Sequence, residues 1–300
     1  MRISLSISNF SWTGGPAEIP ASLERLVRRA DEGRFDTVWV TDHLLQLAPG
    51  TDPDQEILEA YSTLGYFAAL THRVRLGTMV TAATFRAPML LVKAVTTVDV
   101  LSRGRAWLGI GAGYHQFEAE STGMFLPPTA ERFERLEETL QFALQTWSGG
   151  DDPFHGKYFH AERPINSPNS VSRPHPPILI AGAGEQKTLR LVARYAQACN
   201  LYDIPDNGKT ITHKLGVLAE HCAAADRSFD AIEKTVSTHL RPGETAAELA
   251  ARAAGFNDLG IDHLVVMKTA APWKVDDLDR LDEAAEQVEH LRHATAASGG

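Results

Sequence analysis

Apolar positions along this 300-residue chain switch repeatedly between two periods. Short alternating or wholly apolar runs mark strands, and the stretches after them place apolar residues three and four apart, as helices do. "ISLSIS" (3–8) precedes a helix over about 20–32, where Leu23, Leu26, Val27 and Ala30 share one face. Gly33 stands where a left-handed cap is expected. "DTVWVTD" (36–42) and a helix from Glu56 to Leu70 follow, then "VRLGTMVTA" (74–82) and a helix from Pro88 to Leu101. Proline suits a first turn because its missing N–H needs no partner there. "AWLGIGA" (106–112) leads to a helix capped by Thr129, with Phe133, Leu136, Leu140, Leu144 and Trp147 in one apolar stripe. Four more pairs follow: 176–182 with 185–196, 198–202 with 208–225, 234–240 with 244–256, and 263–269 with 277–293.

Eight strands, each followed by a helix, predict an α/β fold of the TIM (β/α)8 barrel type. A doubly wound open sheet is the competing architecture. Residues 149–176 break the rhythm with Pro, Gly and polar residues. They read as a segment inserted after helix four, over one mouth of the fold, and so long a segment is functional or mobile. No composition shift divides the chain, so 1–300 reads as one domain, with 295–300 a flexible tail. A barrel gathers its chemistry at the C-terminal ends of its strands, which directs attention to Asn9–Trp12, Thr41–His43, Met79–Thr84, Gly111–His115, Gly182–Gly184, Asn200–Tyr202, His239–Arg241 and Lys268.

The net charge of -9 argues against a nucleic-acid or anionic-membrane surface, which needs clustered positive charge. Cys199 and Cys222 lie in no motif, so neither a disulfide framework nor a thiolate metal site is expected. The start of the chain lacks a leader's apolar core, and no apolar run approaches the roughly 18 residues of a membrane helix. A cytoplasmic enzyme is the expectation.

Three strand ends carry candidate chemistry. His43 after an apolar strand can serve as general acid or base, oriented by the adjacent Asp42; alternatively the two brace the loop, Asp42 capping amides. "GIGAGYHQFE" (109–118) resembles a nucleotide loop, but its Gly-x-Gly-x-Gly spacing is not the dinucleotide fingerprint. Its glycines admit a flat ring or phosphate, or else two close-packed backbones. "AGAGEQKT" (181–188), between a strand and a helix, is an anion-binding arrangement that Lys187 and Thr188 could assist, or a plain tight turn. His155 with His160, and His290 with His293, lack completing ligands, so no metal is expected. No serine elbow or cysteine–histidine pair suggests a hydrolase.

With these residues in view, the chain resembles the bacterial luciferase-like family, in the branch of actinobacterial oxidoreductases that use coenzyme F420. The resemblance runs from Arg2 to about Leu291 and is carried by "FDTVWVTDHL", "VRLGTMVTAATFRAP", "LSRGRAWLGIGAGYHQFE", "FLPPTAERFERLEETL" and "PHPPILIAGAGEQKTLRLVARYAQACNLY". It implies a barrel with a cofactor across its C-terminal mouth. The ring would rest on a bulge at Thr78, Met79 and Val80, with a cis Met79–Val80 bond. It implies a phosphate near Gly111, Ala112, Gly113 and Tyr114 and near Gly182, Ala183 and Gly184, with Asp42, His43 and Asn200 completing the cofactor site. A homodimer through helices near strands two and three is also implied. The family's sugar-phosphate dehydrogenases carry a glutamate where this chain has Tyr114, so glucose 6-phosphate oxidation is not expected.

The reaction so implied is hydride transfer between the deazaflavin and a small organic substrate, with His43 moving the proton and Tyr114 or Glu118 as alternates. Phe10, Trp12, Leu45 and the insertion are candidates for shaping the pocket. An FMN-dependent luciferase-like monooxygenase using reduced flavin and oxygen is the alternative, and a non-catalytic cofactor-binding barrel the second. A phosphate-handling aldolase or isomerase would need a Schiff-base lysine, for which Lys268 is the only barrel-end candidate.

Overall fold

The computed structural model describes residues 1–48 and 50–291. The expected tail 295–300 and His293 lie outside the described residues. The parallel strands are β1 (Arg2–Ile7), β2 (Thr37–Val40), β3 (Arg75–Thr78), β4 (Thr81–Ala82), β5 (Ala106–Gly111), β8 (Ile178–Ala181), β9 (Ala198–Tyr202), β10 (Glu233–His239) and β11 (His263–Met267). Their order is β3-β2-β1-β11-β10-β9-β8-β5-β4, and β3 also pairs with β5, which closes the sheet on itself. Since β4 resumes β3 after a two-residue break, this is the eight-stranded TIM barrel. β6 (Phe154–His155) and β7 (His160–Ala161) form a separate antiparallel hairpin.

Around the barrel lie α1 (Ile19–Glu32), α2 (Ala60–Leu70), α3 (Pro88–Ser102), α5 (Thr129–Trp147), α6 (Thr188–Tyr195), α7 (Lys209–Ala224), α8 (Ala246–Asp258) and α9 (Val275–Val288). An additional short helix, α4 (Gln116–Thr122), fills the loop between β5 and α5. Alternation explains the two cores. Ile3, Leu5 and Ile7 of β1 join the large cluster between strands and helices, while Ser4 and Ser6, on the opposite face, turn inward. The lumen is packed by Trp39, Trp107, Leu179, Ala198 and Val265, with Met79, Val80 and Ala181 at its edge. Trp39 and Trp107 meet edge to face with ring centroids 6.0 Å apart. They need Gly77 between them, since a Cβ there would lie 2.7 Å from Trp39.

Several local expectations are corrected. Gly33 is extended (φ -85°, ψ -166°) rather than left-handed. Thr129 is the first helical residue of α5, with Pro128 in the cap position. α2 begins at Ala60 rather than Glu56, because the Glu59 side chain caps it by accepting from the Ser62 amide.

The insertion does not lie over the catalytic mouth. Its hairpin docks on α5, where the Glu138 carboxylate accepts the amides of Lys157, Tyr158 and Phe159. The following segment is tied to α3, where Asp99 accepts the Val171 and Ser172 amides. It ends near Gly104, at the opposite end of the barrel from the mouth. The carboxylates of α3 and α5 thus hold the insertion along the barrel flank.

Candidate active site

β2 delivers Asp42 and His43 to the mouth, and the structure separates their roles. Asp42, 2% exposed, does not orient His43. Its carboxylate is held by both terminal nitrogens of Arg86 at 2.5 and 3.0 Å and by the Thr81 hydroxyl at 2.7 Å. Arg86 also donates to Glu59 at 2.6 Å and lies over the Tyr61 ring. The Tyr61 hydroxyl is 2.8 Å from that of Thr81. Burial opposes the Arg86 charge, but Asp42 more than offsets it and holds the guanidinium above its ordinary range. This network pins β4 and the start of α2 to the end of β2.

Glu118 orients His43. Its Oε2 lies 2.8 Å from His43 Nδ1 and its Oε1 accepts the Leu44 amide at 2.7 Å. α4 exists to place it: His115 caps the helix through Nδ1, Gly123 ends it in the left-handed region (φ 70°), and Glu118 sits in the first turn facing back to β2. Glu118 is 1% exposed. Burial raises its carboxyl, but the His43 hydrogen bond and charge and the Leu44 and Leu45 amides outweigh that and bring it below the usual carboxylate range. A carboxylate beside Nδ1 requires the proton on Nδ1 in the neutral ring, which leaves Nε2 as the basic nitrogen. His43 itself is 24% exposed, open to the mouth.

The lowered carboxyl has a stability consequence. Its contribution is fully present above the unfolded-state value of roughly 4.3 and is lost as pH falls through the lower folded value. Glu118→Gln is therefore expected to destabilise the protein at pH 6–7. That difference should shrink toward zero as pH is lowered below about 4, read from urea unfolding at a series of pH values. A constant difference across that range would contradict it.

The strand-three bulge is present: the Met79–Val80 peptide is cis, as the resemblance implies. The Thr78 hydroxyl crosses it to donate to the Gly109 carbonyl at 2.8 Å. A Cβ on Gly109 would lie 1.8 Å from the Thr78 carbonyl oxygen, and one on Gly111 3.2 Å from Val80. The first glycine of "GIGAG" is thus required by close packing of β5 on the bulge, and Gly113 takes a left-handed turn (φ 77°). Met79, Val80 and Ala181 edge the lumen cluster, and residues 111–113 and 181–184 are all glycine or alanine.

Other candidates fall elsewhere. Thr78 and Asn200 are fully buried. Asn200 Oδ1 accepts from Thr235 and Ser237, so neither side chain presents surface to the mouth. Phe10 is likewise buried, and the Trp12 indole donates to the Trp273 carbonyl. In the "AGAGEQKT" loop, Thr188 packs beneath Gly182 and Gly184, and the Lys187 ammonium lies 5.3 Å over the Phe133 ring. Lys268 is ion-paired with Asp277 at 2.5 Å. Among the described residues no group of three or more His, Cys, Asp or Glu could hold a metal. No helix among them is long and apolar enough to cross a membrane. Sequence reasoning missed Arg86, Glu59 and Tyr61; a basic residue just beyond a barrel strand end was the available signal for Arg86.

Comparison with known proteins adds four findings. The family model described as luciferase-like monooxygenase matches residues 1–298. An F420-dependent glucose-6-phosphate dehydrogenase of Kineococcus radiotolerans is 31% identical over 236 residues, covering 76% of this chain and 66% of that protein. The chain thus spans just under two thirds of that relative's length. Among solved structures, a coenzyme F420-dependent tetrahydromethanopterin reductase from Methanopyrus kandleri superposes with a TM-score of 0.78 at 15% identity, over 97% of this chain and 99% of that one. The monooxygenase RslO1 from Streptomyces bottropensis superposes with a TM-score of 0.75 at 19% identity, over 97% and 98%.

Proposed function

Because the chain belongs to the luciferase-like monooxygenase family, we propose that it is an oxidoreductase transferring a hydride between coenzyme F420 and a small organic substrate. The observation that carries this reading is the His43–Glu118 pair, 2.8 Å apart, beside a floor of residues no larger than alanine from Gly111 to Gly113 and from Ala181 to Gly184. The name of the Kineococcus relative supports the cofactor. When bound, the deazaflavin supplies a ring carbon that accepts or donates hydride.

The chain's own residues do the rest. The Met79–Val80 bulge, the glycines of β5 and those just after β8 would hold the ring and its phosphate. His43 Nε2 takes the proton that leaves the substrate as hydride departs, or returns it in reverse, while Glu118 stabilises the ring cation so formed. The Asp42–Arg86 network keeps the bulge in register with His43 and orients the reactants. Tyr114 stands where sugar-phosphate dehydrogenases of this resemblance carry glutamate, so glucose 6-phosphate is not assigned. A cytoplasmic homodimer completes the reading, its interface including the exposed Leu90 and Leu101 of α3.

Titration of the purified protein with F420 and with FMN, followed by absorbance and fluorescence, tests the assignment. F420 is expected to bind at least roughly tenfold more tightly, about 1.4 kcal/mol. Tight FMN binding with no response to F420 would replace this reading by the flavin monooxygenase one, which the RslO1 likeness represents.

A further inference from the structure

The loop between β8 and α6 is gripped from outside the barrel by contacts that the proton and hydride chemistry does not use. At its two ends the Gly182 amide donates to the Asn200 carbonyl at 3.2 Å and the Leu189 amide to the Gly184 carbonyl at 3.0 Å. Between them, the amides of Ala183, Gly184, Glu185, Gln186 and Lys187 meet no acceptor among the described residues. Thr188 is 4% exposed and packs beneath Gly182 and Gly184. Its hydroxyl has no hydrogen-bond partner among the described residues. Free amides at a helix start, with a hydroxyl beside them, suit a phosphate.

Glu185 stands inside this donor set with the wrong charge for an anion, and α7 draws it aside. Glu185 Oε1 accepts from Lys214 Nζ at 2.5 Å and from His213 Nε2 at 3.0 Å, and its main-chain carbonyl accepts from His221 Nε2 at 2.8 Å. The Lys214 bond, then the His213 bond, hold the carboxyl below the usual carboxylate range. Lys214 and His221 lie two turns apart on one face of α7, whose Ile211, Leu215, Leu218 and Cys222 are buried. The grip therefore comes from a helix fixed to the barrel, and Lys214 has only 17% of its side chain exposed. A loop ordered in advance spares that cost when a ligand binds. Resting on the F420 reading above, we propose that Glu185 is the positioning residue of the cofactor's phosphate loop. α7 holds its carboxylate and its carbonyl, and this sets the amides of residues 183–187 and the Thr188 hydroxyl toward the phosphate. Charge alone argues the opposite effect, since a carboxylate in the loop repels an anion.

Fluorescence titration with F420 and FMN, and with their phosphate-free counterparts deazariboflavin and riboflavin, tests this on the wild type, Glu185→Ala, Glu185→Gln and His221→Ala. Each alanine variant is expected to bind the phosphate-bearing rings about three- to tenfold more weakly, the scale of one or two hydrogen bonds. Affinity for the phosphate-free rings and the urea midpoint should stay at their wild-type values. Glu185→Gln should bind like the wild type, because its amide oxygen still accepts from Lys214 and His213. Charge alone predicts tighter binding of the phosphate-bearing rings by both Glu185 variants, and that result would overturn the proposal. So would alanine variants that bind those rings as the wild type does. A weakening shared by the phosphate-free rings, or one that tracks a fall in the urea midpoint, would make the grip merely structural and overturn it too. If FMN shows the expected pattern and F420 does not bind, the F420 reading fails and the loop proposal stands. F420 bound at wild-type strength by every variant defeats the loop proposal alone, and a protein that binds neither ring defeats both.

Discussion

His43→Ala is expected to lower kcat by about 10²–10⁴-fold, the scale of a general acid–base group. The expectation rests on geometry: His43 is the mouth's titratable group with a defined orienting partner, Glu118 at 2.8 Å. Its neutral tautomer leaves Nε2 to receive a proton. Glu118→Gln should reduce kcat less than His43→Ala, because an amide still reaches Nδ1 but no longer enforces that tautomer or stabilises the imidazolium. A shift in the pH dependence of kcat in the glutamine variant separates this orienting role from simple support of the loop. Wild-type turnover by His43→Ala would leave His43 a packing residue and pass the proton transfer to Tyr114 or Glu118.

Local pattern made most of the barrel legible. Strand ends at Thr41–His43, Gly111 and Ala181–Gly182 follow from short apolar runs stopped by glycine or polar residues. A barrel then converts strand ends into a site without further information. Partnerships were not legible. Asp42 and His43 are adjacent, so a reading along the chain couples them, yet on a strand successive side chains point to opposite sides. Here the two residues diverge just beyond β2, Asp42 to Arg86, 44 residues on, and His43 to Glu118, 75 residues on. Neither separation leaves a periodic trace.

Glycines were ambiguous for a related reason. A missing Cβ serves a ligand or a neighbouring backbone equally well, and only the Thr78 carbonyl against Gly109 shows which applies there. For the insertion, composition reveals a break in rhythm but not the face on which it packs. Carboxylates 99 and 138, both inside helices, decide that through backbone amides far along the chain.

Asp42→Ala is expected to cost about 3–5 kcal/mol of stability, because it strands a charge inside the protein. Arg86 has 13% of its side chain exposed; without Asp42 it retains Glu59, itself 41% exposed and correspondingly screened. Thr81 would lose its acceptor as well, so β4 and the cis bulge lose the bond that fastens them to β2. F420 affinity should therefore fall together with stability, although Asp42 presents no surface to the mouth. Urea unfolding and F420 titration of the same preparation test both effects. Combining Asp42→Ala with Arg86→Met removes the stranded charge and should recover part of the stability, as replacing a whole buried pair does, while cofactor affinity should remain low because Thr81 is still unanchored. A double variant no more stable than Asp42→Ala would show that the loss comes from packing at β2 rather than from the uncompensated guanidinium.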